Sequence, residues 1–333
     1  MLMKYLLSFG LIITLAAPAF AWAGEVVVYS SRKEHLIKPL FDRFTADTGI
    51  KVTYLTDKAG PLIQRLVAEG KRTPADMLIT VDAGNLWQAA ERGILAKTKS
   101  KVLDKNVPSE LRDPEGRWYG LSQRARTIIY STERVNPKNI STYEGLGDPM
   151  WKGRLCLRTS KKVYNQSLVA SFISHQGKDK AEKIVKSWVK NLTVAPFSND
   201  NKLIAAIESG KCDIGIVNTY YFGRIQKKRP SVKLALAWPN QQSTGVHVNV
   251  SGAGVTKFAK NPKEAKQLLE FLSSEAAQGD FAGINQEFPV NPRVEPTDLV
   301  KAWGGFKADS MNLSEAGKLQ ADSVRLMDRA GYK

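Results

Sequence analysis

The first stretch of this chain alternates between two hydrophobic periods, and that alternation limits the fold more than any other feature. Glu25-Val26-Val27-Val28-Tyr29 is a continuous apolar run and reads as a buried strand. Leu36, Ile37, Leu40, Phe41 and Phe44 then recur at helical spacing as far as Gly49. Pro39 suits that helix only if it begins close by. Lys51-Val52-Thr53-Tyr54 reads as a strand, and Pro61 to Gly70 as a helix with Leu62, Leu66 and Val67 inward. Asp76-Met77-Leu78-Ile79-Thr80 is another buried strand, followed by a helix over Leu86 to Ala90 that stops at Gly93. Strand and helix in strict turn predict an α/β fold, a parallel sheet with helices on both faces.

The pattern breaks once and restarts. Gly120-Leu121-Ser122 and Thr127-Ile128-Ile129-Tyr130 bracket the polar stretch Gln123-Arg124-Ala125-Arg126, which reads as a crossing between two lobes. Beyond it come a strand at Arg154 to Leu157, helices over Gln166 to Ser174, Ala181 to Val189 and Lys202 to Glu208, and a strand from Asp213 to Val217. Val246 to Val250 alternates and carries the chain back, and Ser251 to Val255 continues into the first lobe. Gly252-Ala253-Gly254 is read as a tight turn, since a lone Gly-x-Gly is no phosphate cradle. Pro262 to Leu272 is a helix with Pro in its first turn, and Leu313 to Met327 a final amphipathic helix. The expected organisation is a first lobe of 24–123 plus 249–300 and a second of 124–248 plus 301–333, with a cleft between them. Bilobed proteins of this kind bind small ligands in the cleft and close by hinge motion.

Lys4, the apolar run Tyr5 to Ala17 and Ala21-Trp22-Ala23 before Gly24 describe a secretory signal peptide over 1–23, cleaved near Ala23. That run is too short for a membrane span, and no Cys marks a lipid anchor. The remainder, about 310 residues, fits one large or two ordinary domains and contains no further span. A formal charge of +17 raises the question of nucleic acid. The export signal, the scatter of Lys and Arg and the absence of any such motif argue against it. A solvated basic surface, or weak attraction to an anionic membrane or acidic partner, accounts for the charge. Cys156 and Cys212 both sit in strand-like runs; in an oxidising compartment they form a disulfide or remain two buried thiols.

The chemistry concentrates in Asn218-Thr219-Tyr220-Tyr221, where the strand Asp213 to Val217 meets a helix that Asn218 or Thr219 would cap. Ligands of open α/β sheets bind at that edge. A second stretch, Lys162-Val163-Tyr164-Asn165-Gln166, places Tyr164 just before a helix that Asn165 would cap. Three phenols at helix N-termini suit anionic oxygen, and a hard trivalent cation can take their protons, because metal ligands bind deprotonated. The bland alternative is aromatics packed in core and surface. Arg124 and Arg126 lie in the crossing segment; either could hold a planar, carbonate-like anion, and structural salt bridges are the other reading, the stronger one for Arg126.

Several stretches together resemble the periplasmic ferric-ion-binding proteins of ABC iron importers, across nearly the whole mature chain. They are Val28-Tyr29-Ser30-Ser31-Arg32, Pro74 to Gly84, Gly120 to Arg126, Tyr164 to Ser171, Asn218 to Tyr221, His247 to Gly254 and Leu326 to Gly331. The resemblance implies a two-lobed periplasmic binding protein fold with parallel-rich mixed sheets and flanking helices. It implies Fe³⁺ held by phenolates at Tyr164, Tyr220 and Tyr221, and an anion such as carbonate at Arg124. It further implies a monomer in the periplasm that hands its ion to an inner-membrane ABC permease.

One departure stands out. Many such proteins carry His-Tyr just after the Ser-x-Arg stretch, and in some subgroups these supply a first-lobe ligand. Here Lys33 and Glu34 fill those positions, with His35 one residue on. Glu34 is the harder donor and His35 the softer, less suited to Fe³⁺; carbonate or water would otherwise complete the site. His175 and His247 read as structural. The same fold binding a different anionic or cationic solute without metal is the principal rival. No Ser/His/Asp pattern recommends an enzyme.

Overall fold

The computed structural model describes residues 24–333. The expected signal peptide, residues 1–23, lies outside them. Among the described residues no helix is long and apolar enough to cross a membrane.

Eight strands form one sheet system: β1 (Gly24–Ser30), β2 (Ile50–Thr56), β3 (Met77–Val81), β4 (Tyr119–Ser131), β5 (Leu155–Cys156), β6 (Ile214–Asn218), β7 (Leu234–Ala237) and β8 (Val248–Val255). The order is β2-β1-β3-β8-β4-β6-β5, with β7 also on β4. β1 runs parallel to β2 and β3, and β5 parallel to β6. The pairings made by β4 and β8 in the middle are antiparallel. The α/β architecture is therefore a mixed sheet with flanking helices, divided into two lobes at the crossing strands.

β4 makes the division visible. Its residues Tyr119 to Ala125 pair with β8, whereas Arg126 to Tyr130 pair with β6. The change of partner falls between Ala125 and Arg126, so the polar stretch sits at the lobe junction. One hydrophobic core gathers Val28, Phe41, Phe44, Leu78, Trp118 and Leu121. Two others flank the far half of the sheet. One holds Ile128, Trp151, Trp188 and Ile214, and the other Ile129, Leu203, Ile207 and Phe222. Consecutive residues of a strand point to opposite faces, so Ile128 and Ile129 serve separate cores. Burial on both faces explains why these strands read as unbroken apolar runs.

Several local expectations are corrected. Pro39 lies inside the helix Glu34–Thr48 rather than near its start. Gly252 and Gly254 form no turn: both belong to β8, all of whose residues are buried. Their missing side chains let strands approach, since a Cβ on either would come within 2.4 Å of the carbonyl oxygen of Tyr119 or Arg117. The last amphipathic segment is two helices, Leu313–Lys318 and Gln320–Arg329, joined at Leu319. The break has a packing cause. Leu313 joins the first-lobe core, whereas Leu326, Met327 and Tyr332 join the second, so the tail straddles both lobes. Cys156 and Cys212 are joined in a disulfide, with Cα atoms 6.0 Å apart, tying β5 to the segment before β6.

Candidate metal centre

β6 ends at Asn218 and the helix Thr219–Lys228 starts at once, putting Tyr220 and Tyr221 in its first turn. The helix Val163–Gln176 places Tyr164 second in its own first turn. Neither helix is capped as expected. Asn218 stands at the cap position with its side chain turned away, and Asn165 lies within its helix behind Lys162. Both amides serve a buried arginine instead. Arg126 donates through Nε to Asn165 (2.8 Å) and through Nη1 to Asn218 (3.0 Å) and Asp200 (3.2 Å). Asn165 in turn donates to the carbonyls of Arg158 and Thr159 and to the Tyr332 hydroxyl. Arg126 is thus spent on holding the two tyrosine-bearing helices together.

From there a chain of hydrogen bonds runs to the phenols. Asn218 Nδ2 donates to Tyr220 Oη at 3.2 Å, and Tyr220 Oη donates to Tyr164 Oη at 3.2 Å. The Tyr221 ring lies against that of Tyr220, centroids 4.5 Å apart. Tyr164 and Tyr220 are 8% and 6% exposed, so their oxygens meet where water barely enters. The three rings and Arg124 line one cavity of 340 Å³ between the lobes. A larger cavity of 770 Å³ near Thr98, Arg112 and Glu270 contains none of them and has no comparable chemistry.

Burial governs the protonation of Tyr164 and Tyr220. It pushes Tyr164 up to about 12, with the neighbouring Tyr221 adding to the effect. Tyr220 is raised well above its ordinary value by burial and then by Tyr164 and Tyr221. Burial therefore favours the neutral phenol at Tyr164 and at Tyr220.

Cations surround the cage. Arg124 is 2% exposed, and neither of its terminal nitrogens has a hydrogen-bond partner. Its nearest carboxylate, Asp82, lies 3.6 Å away. The guanidinium sits 5.6 Å from the centre of the Tyr164 ring. Arg158, paired with Asp200, and Lys162 stand 5.3 and 4.7 Å from the same ring. Arg224 lies 5.0 Å from the Tyr220 ring. Lys162 is held below its ordinary pKa by burial first and by Arg158 second.

The opposite wall is different. Ser31, Lys33, Lys58 and Asn85 face the cavity. Glu34 and His35 are exposed and outside its lining, and Glu34 instead accepts a hydrogen bond from Tyr54 at 2.8 Å. Glu287, the carboxylate in the lining, is paired with Arg32 at 2.8 Å. Among the described residues no three His, Cys, Asp or Glu side chains cluster as a metal site. His175 bonds Asp309 at 2.9 Å, and His247 is buried at the lobe junction. Asp82, Arg158, Lys162 and Arg224 were not expected at the site. Only Lys162, two residues before Tyr164, carried a local signal.

This chain belongs to the bacterial extracellular solute-binding proteins, whose shared pattern matches residues 72–303. It is 42% identical over 315 residues to Iron uptake protein A1 of Synechocystis sp., covering 93% of this chain and 88% of that one. A solved structure of Trichodesmium IdiA (FutA) in complex with iron and citrate ligands superimposes with a TM-score of 0.90, at 43% identity over 93% of this chain and 100% of that one. Mannheimia haemolytica ferric iron-binding protein A, in an open conformation, gives 0.87 at 36% identity, over 93% of this chain and 99% of that one.

Proposed function

We propose that this protein captures Fe³⁺ in the interlobe cleft and delivers it to an inner-membrane ABC permease, working as an exported periplasmic monomer without catalysing a reaction. The single observation that carries this reading is the meeting of Tyr164 and Tyr220 oxygens at 3.2 Å, with Tyr221 alongside and an unpartnered Arg124 above them. Three phenolates balance a trivalent charge, and phenolate is a hard oxygen donor of the kind such ions prefer. The ion displaces a proton from each phenol as it binds, which couples uptake to pH. Arg124 presents two free donors to a planar anion, carbonate or a chelating carboxylate, that fills the remaining coordination positions. Tyr164, Tyr220, Tyr221 and Arg124 all sit beyond or at the crossing. In this reading the lobe of 124–248 carries the ion, and the lobe of 24–123 plus 249–300 closes over it. The tail shared between them acts as a strap.

The test is optical. The purified protein is mixed with ferric citrate at neutral pH and its visible spectrum recorded. A phenolate-to-iron charge-transfer band is expected, and it should vanish in the Tyr220→Phe, Tyr221→Phe variant. No uptake of Fe³⁺ by the wild type, or a band that survives the double change, overturns the reading.

A further inference from the structure

Asp82 occupies an unusual position. It follows β3 directly and caps the helix Ala83–Glu91, yet its backbone sits at φ 80°, ψ 126°. A non-glycine residue there is strained, and such strain persists only where the surroundings enforce it. Glycine would relieve it, so what the site retains is the carboxylate. That carboxylate is fully buried and reaches three parts of the molecule. Oδ1 accepts from the Gly84 N–H at 3.0 Å and from Ser167 Oγ at 2.8 Å. Oδ2 accepts from Asn249 Nδ2 at 3.0 Å and lies 3.6 Å from Arg124.

These contacts converge on the binding apparatus. Ser167 stands three residues after Tyr164, on the same face of its helix. Asn249 is the register partner of Arg124 across the crossing strands β8 and β4. The other buried carboxylates close by are already taken, Asp200 by Arg126 and Arg158 and Glu287 by Arg32. We propose that Asp82 is a positioning residue: it is the resident counter-ion of Arg124, fixed across the lobe junction so that an incoming anion must compete with it. At 3.6 Å the pair is electrostatic without a hydrogen bond, so Arg124 keeps its donors free while its charge is partly offset. The anion that accompanies the ion is then held firmly enough to complete the site and loosely enough to leave. This inference rests on the reading of Arg124 as the anion holder and does not need iron for its test.

Iron-free protein is titrated calorimetrically with inorganic phosphate and, separately, with bicarbonate. Binding should be lost in Arg124→Ala. Asp82→Asn removes the competing charge and should tighten binding about tenfold. Asp82→Ser removes the same charge while keeping an oxygen that can accept from the Gly84 N–H, and should tighten binding by a similar factor. Combining Asp82→Asn with Asn249→Asp restores one charge and a matched donor and acceptor, and should return affinity to near the wild-type value. A purely structural role predicts instead that anion affinity stays put while the melting temperature falls. Unchanged or weaker binding in folded Asp82→Asn overturns the proposal. Should that variant not fold, unchanged or weaker binding in folded Asp82→Ser overturns it equally, as does anion binding that ignores Arg124. Anion binding that responds to these changes in a protein showing no ferric colour would sink the iron reading alone.

Discussion

The two walls of the cleft are built from opposite materials. The second-lobe wall brings three phenols together with Arg158, Lys162 and Arg224 around them, and Arg124 stands at the junction beside them. The first-lobe wall offers lysine, serine and asparagine, and its carboxylate Glu287 is already paired with Arg32. On the proposed reading, the contrast makes coordination and closure separate tasks. The phenols are preassembled within one lobe by the Arg126–Asn218–Tyr220–Tyr164 chain, so on the proposed reading an ion would find its donors before the lobes close. The other lobe brings positive charge to the cavity through Lys33 and Lys58.

Changes that separate the two walls should rank accordingly. Tyr220→Phe should lower Fe³⁺ affinity by at least about a hundredfold in competition with a chelator, more than the loss of an outer-shell partner costs. A smaller loss would mean that the second-lobe wall does not dominate. Arg126→Met leaves Asp200 short of one partner and frees both tyrosine-bearing helices. It should cost about 3–5 kcal/mol in urea unfolding, the usual penalty for breaking a buried pair from one side. Replacing both Cys156 and Cys212 with Ala should cost about 2–5 kcal/mol in the same experiment, with iron affinity retained because the bridge lies away from the cavity lining.

His247 probes the junction between the walls. Burial, then Arg126 and Arg124, depress its pKa from 6.5 to about 3. In that window the unfolded chain takes up a proton that the folded one refuses, so stability falls as pH drops from 6.5 towards 3. The slope is at most about 1.4 kcal/mol per pH unit from this group, and His247→Gln should flatten it in unfolding experiments at stepped pH. The smallest effect belongs to the first lobe. Glu34→Gln with His35→Gln should change iron affinity less than about threefold, as substitutions at exposed positions usually do. A tenfold loss would show that closure brings a ligand from that wall and would break the comparison.

Much of this is legible in the sequence. Short apolar runs such as Asp213 to Val217 announce strands because both faces of the sheet are covered, and Tyr164, Tyr220 and Tyr221 stand out by lying just where helices begin. The roles of Asn165 and Asn218 were misread for a specific reason. A cap is a local bond, but here Arg126 arrives from a distant strand and outcompetes it. Asp82 was invisible on similar grounds: its partners Ser167 and Asn249 are 85 and 167 positions away. Gly252 and Gly254 looked like a turn because sequence cannot distinguish flexibility from the need for close strand contact. The broken tail followed amphipathic spacing faithfully, but spacing does not reveal that its two halves answer to different cores.

β4 is also a mechanical part. Thirteen residues run without interruption from one core into the other, so the lobes share a beam rather than a flexible cord. Thermal or chemical melting of either half withdraws the partners of that beam from the other, and the molecule should therefore melt as one body. Cutting the chain at the crossing would yield two fragments, each with an orphaned sheet edge and neither able to stand alone.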